Sequence, residues 1–388
     1  PGNFKAGGRS QNPAGKNYSG GRGGYAAGFE RFLDGRPEGT PFAFWFGSSD
    51  PHRPFAKGSG RGSGKTLEQA EVPPFLPDTP EIRDDLLDYA FEIERFDADC
   101  GKMLALLEAT GELDNTLIIV TSDNGMAFPY AKANCTEYGI HMPLAVSWKA
   151  RGAGGQVCDA LVGFVDLTAT IHEATGLQAP AEFPLAGRSL LPILLGKSDT
   201  HARDAVFSGR ERHSSSRFNT LGYPQRCVRT DRYLYIRNFK PERWPAGPGQ
   251  KLTGKPGSEP GPEHGGYHDI DACPTLSFLI ANRDDDKVRP FFQLAVERRP
   301  EEQLFDIVAD PGCLIDFARE PEHSEAKEEL AKRLDTYLVE TGDPRATGDG
   351  DIFETYPRYS RLRWFPKPDW AEKDLESIPA MPWLDARR

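Results

Sequence analysis

No cysteine of this sequence stands in a C-x-x-C pair or at any other close metal-ligand spacing. Cys100, Cys135, Cys158, Cys227, Cys273 and Cys313 are scattered, which argues against a zinc site and against a disulfide scaffold. One or two bridges stay open, and the redox compartment is undecided. Long apolar runs are lacking too: stretches such as Phe42–Phe46 and Leu117–Val120 are far shorter than a membrane span. No Lys/Arg stripe stands out, and the net charge is −11. An acidic surface repels phosphate backbones, so nucleic acid is not an expected partner. The chain has no initiator methionine and no leader, and it opens on Pro1 in a Gly-rich stretch. It is expected to be a truncated piece, so the missing leader says nothing about localisation.

What is present is an ordinary globular balance: 38% apolar, 27% charged and 11% aromatic residues. A packed core is expected. The 388 residues suffice for one large domain plus a smaller one. After a loop-like start, Phe42–Phe46 reads as a fully buried strand, and the Gly-rich, basic residues 56–66 read as a mobile loop. Thr79-Pro80-Glu81 resembles an N-cap followed by Pro at the first helical position, and Gly111 closes the long helix that follows. Residues 116–121 form a second buried strand, and residues 143–148 another. Val165–Thr175 is a helix closed by Gly176, and Ala205–Ser208 is a short strand. Strands alternating with helices predict an α/β class with a mostly parallel central sheet flanked by helices, over residues 1–221. From Gly222 the pattern changes. Residues 226–237 alternate as a hairpin turning at Asp231-Arg232, and Glu325–Glu340 is an amphipathic helix with Leu330, Leu334, Tyr337 and Leu338 on one face. Residues 222–388 are therefore expected to be a smaller α+β domain on an antiparallel sheet, with a Pro- and Trp-rich tail.

Ligands gather beyond the carboxyl ends of strands in open α/β sheets. The first expected strand runs into Gly47-Ser-Ser-Asp-Pro-His-Arg-Pro54, and the second into Ser122-Asp-Asn-Gly125. Asp123 and Asn124 are hard oxygen donors suited to calcium or magnesium, although Asp-Asn-Gly is also common turn chemistry. His52 could protonate a leaving group or simply cap its loop. Lys132 would suit a sulfuryl or phosphoryl oxygen, although most lysines are merely solvated. Arg212 and His213 follow the Ala205–Ser208 strand, where they could contact a polar substrate or form a surface ion pair.

These pieces together resemble the sulfatases of the alkaline phosphatase superfamily, and within them the heparan N-sulfatase (N-sulfoglucosamine sulfohydrolase) branch and related bacterial sulfatases. The stretches that carry the likeness are residues 42–55, 72–80, 111–116 with 121–125, Gly187-Arg-Ser-Leu-Leu-Pro192 and Leu304-Phe-Asp-Ile-Val-Ala-Asp-Pro311. The resemblance implies hydrolysis of sulfate esters or sulfamates on a sulfated sugar such as a glycosaminoglycan. It implies Asp123 and Asn124 as calcium ligands, Lys132 against the sulfate, and His52 as proton donor to the leaving atom. Arg212 and His213 become candidates for gripping the sugar. His141 stands where related bacterial enzymes carry Arg, also toward the substrate. The family works in the periplasm, outside the cell or in lysosomes.

The family's formylglycine arises from a C/S-x-P-S-R run, and no such run occurs in this sequence. The nucleophile and the aspartates that complete the calcium site are expected ahead of Pro1, and the polypeptide alone is expected to be inactive. Two other readings stand beside this one. A phosphodiesterase of the same superfamily would need clustered His ligands, yet His52 and His141 lie far apart. A non-catalytic carbohydrate-binding relative would truly lack the nucleophile.

Overall fold

A computed structural model describes residues 24–37, 39–197, 203–371, 376 and 378–387, together with the short paired strands Ser10–Gln11 and Asn17–Tyr18. The chain groups into two units. Residues 1–72, 78–119 and 146–155 form the first, and residues 73–77, 120–145 and 156–388 the second.

In the first unit, α1 (Tyr25–Asp34) buries Tyr25, Phe29, Phe32 and Leu33 along one face. They meet Met103 and Leu107 from α2 (Pro80–Ala109), together with Phe42, Phe44 and Phe46. The Phe42–Phe46 segment is not the fully buried strand its composition suggests. It is extended with a single bridge residue, Trp45, and only its phenylalanine face is half-buried, while Trp45 is 67% exposed. An apolar run on both faces hides the period of two that the packing imposes. The start of α2 is as expected: Thr79 is its N-cap and Pro80 its first residue. Gly111, at φ +72°, follows its C-cap Thr110.

The buried face of α2 also carries carboxylates. Asp85 takes both guanidinium nitrogens of Arg53, at 2.7 and 2.9 Å. Asp88 accepts from the backbone N–H groups of Gly58 and Gly60, at 2.9 and 2.8 Å. Residues 56–66 are thus not a mobile loop, because these bonds fold a helical turn at Ser59–Gly62. Gly60 lies so near the Leu87 backbone that a Cβ would come within 2.3 Å of it.

Strands β1 (Ile118–Thr121) and β2 (Leu144–Ser147) pair as a two-stranded sheet, and β1 is half-buried, not fully buried. The second unit then supplies α3 (Phe164–Thr175), which ends at Gly176 with φ +69°. Strands β3 (Val206–Arg210), β4 (Gln225–Arg229) and β5 (Tyr233–Asn238) follow. Next come α4 (Pro274–Ala281), α5 (Arg289–Val296) and β6 (Glu302–Asp306). These four strands form one antiparallel sheet in chain order, with Cys227 opposite Ile236 and Leu234 opposite Phe305. The hairpin at Asp231-Arg232 is as expected. The amphipathic α6 (Ser324–Glu340) lays Leu330, Leu334 and Leu338 on Val228, Tyr235 and Leu304 of the sheet. Tyr337 stacks on Phe207 at 3.7 Å between ring centroids. The architecture is the expected α/β class with an antiparallel C-terminal sheet. All six cysteines are unbridged. Among the described residues, no helix is long and apolar enough to cross a membrane.

The tail is bound, not loose. Its Asp343 pairs with Arg226 at 2.6 Å, and Glu354 pairs with the fully buried Arg243 at 2.5 Å while accepting from the Gly222 N–H. Such fully buried pairs cost several kcal/mol when only one partner is removed, about 3–5 kcal/mol.

Candidate functional site

The second unit builds its site on the chain that leaves β1. Gly125 follows the Ser122-Asp123-Asn124 turn, and its N–H donates to the Gly139 carbonyl at 3.2 Å. A Cβ on Gly125 would lie 1.9 Å from the Tyr138 carbonyl oxygen, so only glycine fits this approach. Tyr130 and Ala133 adopt positive φ, 70° and 63°, and bracket Lys132. The turn is fastened by the Tyr130 hydroxyl donating to the Cys313 carbonyl at 2.6 Å and by the Thr136 hydroxyl donating to the Tyr130 carbonyl at 2.8 Å. Rings of Tyr130 and Tyr138 pack on Phe75. This scaffold buries Lys132, whose Nζ donates to Asp271 Oδ2 at 2.7 Å.

Behind this pair lies a carboxylate that the sequence pattern does not single out. Asp269 is buried and accepts from Arg217 at 2.5 Å, from Arg210 at 2.7 Å, from the Ser214 N–H at 3.1 Å and from the Ser216 hydroxyl at 2.9 Å. Burial opposes its ionisation, but the Arg217 and Arg210 guanidiniums outweigh burial and hold its carboxyl well below the usual carboxylate range. Burial also lowers the Arg210 guanidinium, to about 10, with Asp269 opposing the shift. His213 is exposed but lies in the fields of Lys132, Arg210, Asp269 and Asp271. Desolvation first, then the two cations, push its imidazole below the usual value, against the pull of the aspartates. Asp269 and Asp271 sit at the end of a Pro- and Gly-rich stretch that reads as a loop. Their only sequence signal is two carboxylates spaced by one residue.

Lys132 and His213 therefore share one electrostatic neighbourhood. The other expected residues of this unit are placed differently. Asp123 is exposed, and Asn124 donates from Nδ2 to the Gly125 carbonyl at 2.9 Å. Arg212 turns to the tail, donating to the Tyr356 carbonyl at 2.6 Å and lying 5.9 Å over the Trp383 ring. His141 pairs with Glu137 at 2.9 Å, a carboxylate that Arg229 shares at 3.0 Å. The hydrogen bond to Glu137 raises the His141 pKa.

His52 belongs to the first unit. Its N–H donates to the Ser49 carbonyl at 2.8 Å, and its Nδ1 lies 2.6 Å from the Arg53 carbonyl oxygen. A carbonyl only accepts, so Nδ1 carries a hydrogen. The salt bridge of Arg53 with Asp85 anchors this turn to α2.

A divalent cation of the hard class fits two of these side chains in donor type. The Asp123 carboxylate and the Asn124 amide oxygen are adjacent, oxygen-bearing and at the surface end of β1. Calcium takes roughly six to eight oxygens, so the pair is part of a shell. Among the described residues no group of three or more His, Cys, Asp or Glu is placed to hold a metal.

Known proteins are similar to this chain in sequence and in fold. Residues 24–177 match the family model described as Sulfatase, and residues 129–245 match that of the N-sulphoglucosamine sulphohydrolase C-terminal region. An ulvan-active sulfatase of Formosa agariphila is 28% identical over 276 residues, 70% of this chain and 41% of its own length. The N-sulphoglucosamine sulphohydrolase of Homo sapiens is 29% identical over 295 residues, 73% of this chain and 53% of its own length. The chain thus spans about half the length of the curated relatives it matches. A solved sulfatase from a glycosaminoglycan-metabolising locus of Bacteroides thetaiotaomicron shares the fold, with a TM-score of 0.58 at 17% identity over 86% of this chain and 61% of its own.

Proposed function

Because the chain belongs to the sulfatase family, we propose that it serves the hydrolysis of sulfate esters or sulfamates on a sulfated sugar, with Lys132 gripping the sulfuryl group. The observation that carries this reading is the Lys132 ammonium itself: buried, fixed by a positive-φ turn on either side, and balanced by Asp271 with His213 in its field. A buried ammonium costs free energy unless something negative meets it. Sulfuryl oxygens, which gain charge as the S–O or S–N bond breaks, suit a fixed cation of this kind.

Asp123 and Asn124 would hold a calcium ion, which when bound supplies positive charge to the sulfuryl oxygens. His52 would protonate the departing oxygen or nitrogen. His213 and Arg212 would hold the sugar, His213 as a neutral hydrogen-bonding imidazole and Arg212 as a cation oriented by Tyr356. His141, with Nδ1 bound to Glu137, would offer its other ring nitrogen to a substrate oxygen. The covalent nucleophile is assigned to none of the 388 residues, because no C/S-x-P-S-R run occurs among them. A periplasmic, extracellular or lysosomal setting accompanies this reading, as does a glycosaminoglycan-like substrate.

Titration calorimetry with glucosamine N-sulfate tests the assignment. The wild-type chain should bind it, and Lys132→Ala should weaken binding about tenfold or more, the loss of one charge-assisted contact. Equal affinity in the variant, or turnover of p-nitrophenyl sulfate by this polypeptide alone, would refute these roles.

A further inference from the structure

Several arginines of the second unit are paired with carboxylates: Arg243 has Glu354, Arg217 and Arg210 share Asp269, and Arg345 has Glu211. Arg299 is buried with neither Nη hydrogen-bonded. The tail beside His213 also departs from that pairing. Arg358 Nη1 donates to the His213 carbonyl at 3.4 Å, and Arg363 is pinned to Ser215 through its backbone N–H and carbonyl, at 3.0 and 3.1 Å. Arg212 donates to the Tyr356 carbonyl just upstream. Among the described residues, none of Arg212, Arg358 and Arg363 has a carboxylate within ion-pair distance. Arg358 lies in the field of Arg363, Arg363 in that of Arg361, and Arg212 in that of Arg358, while Glu354 acts on Arg212 and Asp269 on Arg358 and Arg363 from beyond ion-pair distance.

Arg358 Nε is moreover buried without a hydrogen-bond partner. Lys251 completes the group, 3.2 Å from the Nε2 of His268, which also lies in the field of Arg363. A protein of net charge −11 has ample carboxylate to pair these groups, yet it gathers them unpaired. Mutual repulsion of half-buried cations is relieved when an anion enters between them. Tyr359, 89% exposed, stands in the same segment with a bare ring, a surface suited to the face of a sugar.

We propose that Arg358 and Arg363, with Tyr359 beside them, form a second anion subsite next to His213 that takes another sulfate or carboxylate of a multiply charged saccharide. The inference rests on the proposed function for its direction: Lys132 would hold the sulfate to be cleaved, and this cluster a further charged group of the same molecule. It assigns the preference for polyanionic over singly charged sugars to the tail. Nucleic acid is the other polyanion to consider, and the overall negative charge disfavours it.

The test is titration of this chain with a heparin-derived tetrasaccharide, with glucosamine N-sulfate and with a short oligo-dT. The tetrasaccharide should bind more tightly than the monosaccharide. Arg358→Gln and Arg363→Gln should each weaken tetrasaccharide binding about tenfold, as loss of a charge-assisted contact. Tyr359→Ala, which alters an exposed side chain and spares the fold, should weaken it about threefold. None of the three should change the affinity for glucosamine N-sulfate. Unchanged tetrasaccharide affinity in all three variants overturns the subsite, and so does oligo-dT binding as tightly as the tetrasaccharide. Loss of monosaccharide binding only in Lys132→Ala belongs to the proposed function, so the two readings fail separately.

Discussion

Lys132 Nζ lies 2.7 Å from the carboxylate of Asp271, a residue 139 positions further along the chain. An anion that binds Lys132 must share the ammonium with Asp271 or displace it. In Asp271→Asn the buried ammonium loses its charged partner, which should cost about 2 kcal/mol of stability. The vacated charge should then favour an external anion. At constant ionic strength, thermal unfolding of Asp271→Asn should shift upward with added sulfate more than the wild type does. A smaller sulfate response in the variant would show that Asp271 positions the lysine without competing for it.

The stabilisation that Asp269 supplies depends on pH. Its folded carboxyl titrates below the ordinary range because Arg217 and Arg210 overcome the opposing effect of burial. Its contribution is therefore complete above the unfolded value of about 3.9. It is lost as pH falls toward the depressed folded value. Asp269→Asn leaves two buried guanidiniums short of charge, and should destabilise the protein by about 3–5 kcal/mol at pH 7. Urea unfolding at pH 7 and pH 3 should show the difference between variant and wild type shrinking in acid. A constant difference would mean that the carboxylate's charge is not what stabilises the cluster.

His268 acts in the same pH direction for a different reason. Burial lowers its imidazole to about 4, helped by Arg363 and Lys251. The unfolded chain binds a proton from about pH 6.5 downward that the folded chain refuses until about pH 4. Stability should therefore fall by about 1–2 kcal/mol across that window, allowing for the partly exposed ring. His268→Gln should flatten this part of the stability profile measured by chemical denaturation.

Much of the architecture was legible because it rests on local rules. Thr79-Pro80 and Gly111 bound α2 through N-cap and left-handed C-terminal chemistry, and the period of α6 placed Leu330, Leu334 and Leu338 on the sheet. The hairpin at Asp231-Arg232 was visible as alternation. The misreadings share a cause: long-range partners. Residues 56–66 look mobile until Asp88 supplies acceptors for their N–H groups. Trp45 looks buried in the Phe42–Phe46 run until the packing of its neighbours turns it outward. At the site, Lys132 could be picked out by residue type, but Asp271 and Asp269 could not, because nothing local joins them to a turn more than a hundred residues earlier.

Gly125 ties the proposed calcium pair to the fold. Its missing side chain lets the turn after Asp123 and Asn124 press against the Tyr138 carbonyl, where a Cβ would lie at 1.9 Å. The obstruction is backbone, so no side-chain rotation relieves it. In Gly125→Ala either the Ser122–Gly125 turn or the Glu137–Ile140 helical turn must shift, at a cost of about 3 kcal/mol by analogy with overpacked cores. The shift moves both oxygen donors together, whereas Asp123→Asn removes one charge and leaves the turn in place. Thermal unfolding should separate the two effects. Gly125→Ala should unfold at lower temperature than the wild type, and Asp123→Asn at the wild-type midpoint, because the Asp123 carboxylate is exposed. An unchanged midpoint in Gly125→Ala would show that the turn yields without cost.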